Sequence, residues 1–157
     1  MAASNIFHTS GRRWLGQIIN GVASLPTNLY LGLRKCDGAG GAPADAAVAD
    51  TLTSNLSEIS GAGYTAAASP GRKTITRNNA NFVESLSGAD SLMTVASQTF
   101  TFGSAGTVTG ITHAFLATTA DNAGALIASA ALGTTRNVTG TTDQIVEVFT
   151  FTLTTGV

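Results

Sequence analysis

The chain has 157 residues, a length that suits one domain with a sizeable hydrophobic core. Its net charge of −1 argues against a dedicated nucleic-acid-binding protein, and its single cysteine, Cys36, excludes an internal disulfide. Charged residues make up 11% of the chain, against roughly 25% in a typical soluble domain, and the polar residues are mostly Thr, Ser and Asn. A surface with so few charges does little to keep neighbouring copies apart. This composition favours a place inside a molecular assembly; a low-charge β domain that acts alone is the alternative.

Residues 1–24 are predicted to form an N-terminal arm with a short amphipathic helix. Ser10 is a suitable N-cap, and large apolar side chains recur after it on one helical stripe, formed by Trp14, Leu15, Ile18, Ile19 and Val22. Gly16 and Gly21 each weaken a helix by about 1 kcal/mol relative to alanine. Because so short a helix is marginal in water on its own, the stripe must pack on the rest of the chain or on a partner.

The two arginines before the first large apolar residue of the arm favour a partner. Arg12 and Arg13 directly precede Trp14, and a buried aromatic side chain with arginines beside it is typical of an interface hot spot. We therefore predict a partner-binding surface on the arm, made by Arg12, Arg13, Trp14, Leu15, Ile18 and Ile19. An arm that folds back over its own domain is the alternative.

A buried strand follows the arm. In residues 28–34, NLYLGLR, the side chains of Leu29, Leu31 and Leu33 alternate with smaller or polar ones. The next segment is rich in glycine and alanine, and it predicts either a second helix that begins at Pro43 or an exposed loop.

From residue 92 onward the pattern is β almost throughout. Apolar and aromatic residues alternate with threonines in 94–102, 108–118 and 145–153, a composition typical of half-buried antiparallel strands. Short strands separated by glycine-rich turns predict a mainly β fold, either an antiparallel β-sandwich or a jelly roll. We expect residues 25–157 to form this single domain.

The sequence offers no catalytic constellation. His8 lies in the arm, and His113 lies in the middle of a predicted strand, where a hydrogen-bonded structural histidine is the usual finding. The stretch FGSAG at 102–106 has phenylalanine in place of the first glycine of a nucleophile elbow. One cysteine cannot supply a Cys/His cluster with metal-ligand spacing. We therefore predict that the chain is not an enzyme and binds no cofactor or metal ion.

No segment of the sequence predicts a membrane-spanning helix. The most apolar stretch, residues 124–133, is much shorter than the roughly 20 residues that a span requires. At the N-terminus the arginines follow the first apolar residues, which is the wrong order for a secretory signal. We expect the chain to be cytoplasmic in the cell that makes it and to have no membrane partner.

The order of these segments resembles a known family. The strand LYLGLR, the turn SEISGAGYT, the aromatic segment SQTFTFGSAGTVTGITHAFLATT and the C-terminal segment GALIASAALGTTRNVTGTTDQIVEVFTFTLTT occur in sequence over residues 28–153. They resemble small β-sandwich virion structural proteins of tailed bacteriophages, which decorate heads or form part of tails. The family's turn has the form acidic-x-x-Gly-x-Gly-Tyr, which corresponds here to Glu58 through Tyr64. The family often has an arginine shortly after this tyrosine, whereas this chain has Thr65-Ala66-Ala67, so the resemblance carries over no salt bridge at the turn.

The resemblance implies a virion structural role. The expected function is that of a capsid decoration or cement protein, a homo-oligomer in the virion that binds the outer surface of the major capsid protein lattice and contacts no nucleic acid. The turn that ends at Tyr64 adds this residue to the predicted partner surface, since small residues let backbones approach closely; an ordinary loop is the alternative. The other expected function is that of a tail or fibre component that seats another tail protein or recognises a cell-surface glycan. A glycan site favours exposed aromatics, and aromatics are only 6% of this chain.

Overall fold

A computed structural model describes residues 6–35, 57–66, 68, 71–88 and 90–153. These residues form one helix and eight strands: β1 (Ile6–Phe7), α1 (Thr9–Ile19), β2 (Asn28–Arg34), β3 (Lys73–Thr76), β4 (Phe82–Ser87), β5 (Asp90–Thr101), β6 (Val108–Ala117), β7 (Leu126–Val138) and β8 (Gln144–Leu153). The segment after Lys35 with Cys36 and the helix considered at Pro43 lies outside the described residues.

The strands form two antiparallel sheets. The first has five strands in the order β1-β7-β6-β2-β3, and the second has three in the order β4-β5-β8. One hydrophobic core joins them, with Leu31 and Ile111 from the first sheet and Val95 and Phe100 from the second. The predicted mainly β, antiparallel sandwich with a short N-terminal helix is confirmed.

The predicted strands lie where alternation placed them, although β2 is buried on both faces. Leu29, Leu31 and Leu33 are buried in the core, as predicted, but Gly32 and Arg34 are buried too. The reason is visible on the neighbouring strand β6. There Leu116 belongs to the main core, whereas Phe115 belongs to a second apolar cluster. The centre of the five-stranded sheet is therefore covered on its outer face as well as its inner one.

The arm is built into this sheet. β1 pairs with β7 in the register Ile6↔Ser129 and Phe7↔Ala128, and α1 packs on β7 directly afterwards. The predicted arm, 1–24, and the predicted sandwich domain, 25–157, are thus joined by backbone hydrogen bonds as well as by the chain itself.

Candidate partner-binding surface

The first turn of α1 is fixed to β7 by polar contacts. The backbone N–H of His8 donates to the carbonyl of Ile127 at 2.9 Å. The His8 Nε2 lies 2.8 Å from Ser129 Oγ, which also accepts a hydrogen bond from the guanidinium of Arg34 at 3.2 Å. His8, Arg34 and Ser129 are all buried, so these bonds form in a site from which water is excluded. The helix therefore begins at a defined place on the sheet.

Ser10 does not cap the helix, contrary to the prediction. The N-cap is His8, whose extended backbone makes no side-chain capping bond. Ser10 lies within the first turn, and its hydroxyl donates to the Leu126 carbonyl at 2.6 Å. This bond ties the serine side chain to β7, and the N-cap position falls to His8 instead.

Gly11 permits the close approach of the helix to β7. A Cβ atom added to Gly11 would lie 2.5 Å from the Ile127 carbonyl oxygen, which is backbone and cannot move aside. The contact between helix and strand is therefore backbone against backbone at this point.

Gly21 ends the helix instead of weakening its interior. It has a φ of +75°, the left-handed conformation that glycine adopts most readily. Its N–H donates to the Ile18 carbonyl at 3.1 Å, and the N–H of Val22 donates to the Gln17 carbonyl at 2.8 Å. These two bonds form a Schellman motif, which satisfies carbonyls at the end of the helix.

The single apolar stripe predicted for the helix is divided between two environments. Trp14 is partly buried and packs against the main core, and Ile18 is also partly buried. Leu15 is 41% exposed, Ile19 is 80% exposed and Val22, just beyond the helix end, is 73% exposed. The arm thus folds back over its own domain through Trp14, while Leu15, Ile19 and Val22 form what we call the outer apolar row.

The arginines flank this row at its N-terminal end. The side chains of Arg12 and Arg13 are exposed, and the Arg12 guanidinium donates to the carbonyl of Phe7 and to the Thr9 hydroxyl. No aspartate or glutamate occurs in residues 1–36 of the sequence. The outer apolar row is therefore accompanied by positive charge, and a partner that matches it combines apolar and acidic groups.

Tyr64 is placed elsewhere, inside the molecule, which corrects its assignment to a partner surface. Its side chain is 5% exposed, and its ring lies 6.3 Å from that of Phe100. Its hydroxyl accepts a hydrogen bond from the N–H of Leu33 at 3.2 Å and donates to Glu58 Oε1 at 2.8 Å. Burial raises the pKa of the Tyr64 phenol far above its ordinary value, and the negative charge of Glu58 raises this pKa further.

An arginine from outside the turn, Arg72, binds the glutamate at the start of the turn that ends at Tyr64. The guanidinium of Arg72 donates to both oxygens of Glu58, with Nε at 2.9 Å and Nη2 at 2.6 Å. Arg72 also donates to the carbonyl of Asp121 and to Asn122 Oδ1. The guanidinium lies 5.2 Å from the centre of the Phe115 ring, within the range of a cation–π contact. The paired, buried Arg72 and Glu58 thus cover the outer face of β6 and tie the turn to the loop after that strand.

His113 lies buried in β6, and its Nδ1 is 3.0 Å from the hydroxyl of Thr112. Among the described residues no three His, Cys, Asp or Glu side chains group closely enough to hold a metal ion. In the same ranges no helix has both the length and the apolar character needed to span a membrane.

No protein-family model matches the chain, and a search of curated proteins finds no match either.

Proposed function

We propose that this chain is a non-enzymatic virion structural protein of a tailed bacteriophage, and that it binds the outer surface of the major capsid protein lattice. Two kinds of observation support the proposal. The ordered motifs over residues 28–153 resemble those of virion β-sandwich proteins, and the low charge of the chain suits dense packing among neighbours.

The observation that carries the proposal is that the outer apolar row is exposed on α1. Contacts with β7 fix the rotation of this helix about its axis. Ser10 donates to the Leu126 carbonyl and Gly11 lies close to the Ile127 backbone, so rotation of α1 about its axis would break a buried hydrogen bond and separate the helix from β7. Leu15, Ile19 and Val22 therefore face outward in the folded chain. Full burial of a large apolar side chain is worth about 1.5–3 kcal/mol, so a partner groove over this row gains a substantial binding free energy.

Arg12 and Arg13 add specificity to this surface. Charges at the rim of an interface select partners and raise association rates more than they raise affinity. The partner groove that we infer on the capsid protein is thus apolar at its floor and acidic at the rim that faces the start of α1. The tail and fibre alternative has less support. The open cleft between the ends of β7 and β8, lined by Arg136, Asn137, Asp143 and Gln144 among others, has no aromatic residue on which a sugar ring can stack.

Binding to particles that lack the protein tests the proposal. Virions of the phage that encodes the chain, produced without it, are mixed with the purified protein and sedimented. Ile19→Gln is expected to weaken binding about tenfold or more, equivalent to about 1.4 kcal/mol, because Ile19 is 80% exposed at the centre of the row. Val146→Gln, an equally polar change at an exposed valine far along the chain, is the matched control and is expected to bind normally.

Cryo-electron microscopy of the reconstituted particles supplies the location. Density over the head lattice with α1 against the capsid protein agrees with the proposal. Density confined to the tail contradicts capsid binding and favours the tail alternative. Unchanged binding by Ile19→Gln contradicts the role of the outer apolar row.

A further inference from the structure

The strand β4 ends the three-stranded sheet in the order β4-β5-β8 and has no second neighbour among the described strands. The other sheet ends are better protected. β1 has two residues, β3 has four and begins with Lys73, and β8 contacts β7 and β1. Short strands, lysines and covering elements are the usual means by which proteins prevent edge-to-edge pairing. The six-residue β4, FVESLS, has no proline, lysine or arginine.

The backbone of β4 is regular and ready to pair. Its register with β5 runs from Phe82↔Val95 to Ser87↔Asp90 without a shift. Just before the strand, the Asn81 carbonyl accepts the N–H of Ala96 at 2.9 Å. Hydrogen-bonded and non-hydrogen-bonded residue pairs alternate along an antiparallel ladder. Because Asn81 belongs to a hydrogen-bonded pair, every second residue after it also forms hydrogen bonds with β5. Glu84 and Leu86 lie between those residues, so their N–H and C=O groups point to the open side.

Two large apolar side chains of β4 are exposed at the open edge. Val83 is 52% exposed and Leu86 is 76% exposed. Leu86 lies on the same face of the strand as Phe82, which packs against the core, yet it extends beyond the part of the sandwich that the core fills. An exposed leucine beside unpaired backbone groups indicates an interface.

We propose that β4 pairs antiparallel with β4 of a second copy of this chain, about a two-fold axis through Ser85, so that two three-stranded sheets become one of six strands. In this register Glu84 of one copy lies opposite Leu86 of the other. Each of these two pairs exchanges both of its N–H···O bonds, so every outward backbone group of Glu84 and Leu86 is satisfied. The two Ser85 residues face each other as a non-hydrogen-bonded pair, where side chains are closest and hydroxyls bond readily.

The sequence of β4 favours a two-fold axis at Ser85 over one at Glu84. Centring the axis on Glu84 sets two carboxylates directly opposite each other, which is destabilising. That register also requires the N–H of Phe82, which already donates to the Asn78 carbonyl at 3.0 Å. The Ser85-centred pairing avoids both problems, and because it is two-fold it closes on itself instead of growing into a filament. The inference does not depend on a virion role, since it rests on the strand alone.

Charge placed on the strand tests the register. We expect the protein to sediment as a dimer in analytical ultracentrifugation. Leu86→Glu sets a second carboxylate opposite Glu84 of the other copy and is expected to weaken dimerisation at least tenfold. Adding Glu84→Lys to Leu86→Glu restores opposite charges across the axis and is expected to restore the dimer, whereas pairing through another surface predicts no rescue.

Cross-linking tests the same register without relying on the charge variants, so it remains decisive if Leu86→Glu does not fold. In a Cys36→Ser background, Ser85→Cys brings two thiols to a Cα separation of about 4.5 Å, within the range of a disulfide. Val83→Cys is the control, because the two copies of residue 83 are about 14 Å apart along the strands. Fast disulfide formation by Ser85→Cys alone supports the proposal. Equal cross-linking of both variants, or a monomer at all concentrations, overturns it.

Discussion

The hydroxyl of Tyr64 connects parts of the chain that are far apart in sequence. It joins the N–H of Leu33 on β2 to the carboxylate of Glu58, and Arg72 donates to both oxygens of that carboxylate. A Cβ at Gly32 would lie 2.8 Å from this hydroxyl and 2.3 Å from the Phe115 ring, so glycine is required beneath it. The buried tyrosine is therefore a clamp between the turn and the sheet.

The sequence alone brings together two of the residues of this site, Glu58 and Tyr64, but not Arg72. The spacing acidic-x-x-Gly-x-Gly-Tyr brings Glu58 and Tyr64 into one turn, and their contact is local. Arg72 lies eight positions beyond Tyr64, and nothing in its surroundings marks it as the partner of Glu58. Its role follows from burial, because a buried carboxylate needs a cation and only the folded chain determines which one is near.

Tyr64→Phe tests the clamp. Removal of the hydroxyl leaves the buried N–H of Leu33 without this acceptor, and we expect the free energy of unfolding to fall by about 1–3 kcal/mol near neutral pH. The pKa of the phenol is raised in the folded state, so the stability that it contributes is complete below the ordinary tyrosine value of 10.0 and declines as the pH rises above it. The stability difference between wild type and Tyr64→Phe should thus shrink above pH 10.0.

Urea denaturation on both sides of that pH measures the effect. Tyr30 is present in both proteins and cancels in the comparison. A difference that stays constant, or grows, in alkaline solution contradicts a phenol kept neutral by burial.

At the scale of elements, the helix shows what periodicity specifies and what it omits. The spacing of Trp14, Leu15, Ile18 and Ile19 predicts a helix with an apolar side, and this helix exists. It does not specify which edge of that side touches the sheet. The small residues Ser10 and Gly11 decide this, because they allow β7 to approach the helix on their side. A pattern search that weighs large apolar residues alone overlooks them.

Two glycines of this helix offer a matched comparison. Gly11→Ala places a Cβ 2.5 Å from a backbone oxygen of β7, so the helix must move away from the strand. We expect a loss of about 1–3 kcal/mol in unfolding free energy, the usual cost of overpacking. Gly16 has no atom within 4 Å of an added Cβ, and Gly16→Ala should stabilise the protein by roughly 1 kcal/mol through helix propensity. Thermal denaturation followed by circular dichroism measures both, and a destabilised Gly16→Ala or a neutral Gly11→Ala contradicts this account.

At the scale of the whole molecule, the strands were predictable and their arrangement was not. Alternation located β5, β6 and β8, since half-buried strands repeat every two residues. Sheet order depends on contacts between distant segments, such as Ile6 beside Ser129, and no local pattern encodes these. The two-residue β1 is also too short to give a periodic signal. The spacing of the apolar residues predicts the helix of the arm, but it does not predict that Ile6 and Phe7 pair with β7 and complete an edge of the larger sheet.

Deletion of residues 1–24 follows from that arrangement. It removes β1 and α1, and with them the packing of Phe7 and Trp14 on the core and the contact of His8 with buried Ser129. Loss of one fully buried aromatic costs about 3–5 kcal/mol. Phe7 and Trp14 are partly buried, but both are lost together with the pairing of β1, so the deletion removes a major share of the roughly 5–15 kcal/mol that stabilises a typical domain. We therefore expect the truncated chain to lose its cooperative thermal transition. Ile19→Gln, which alters only the outer apolar row, is the control and should melt like the wild type. A truncated chain that melts cooperatively at the wild-type temperature would show that the sandwich is complete without the arm, because the contacts of β1 and α1 would then contribute nothing to its stability.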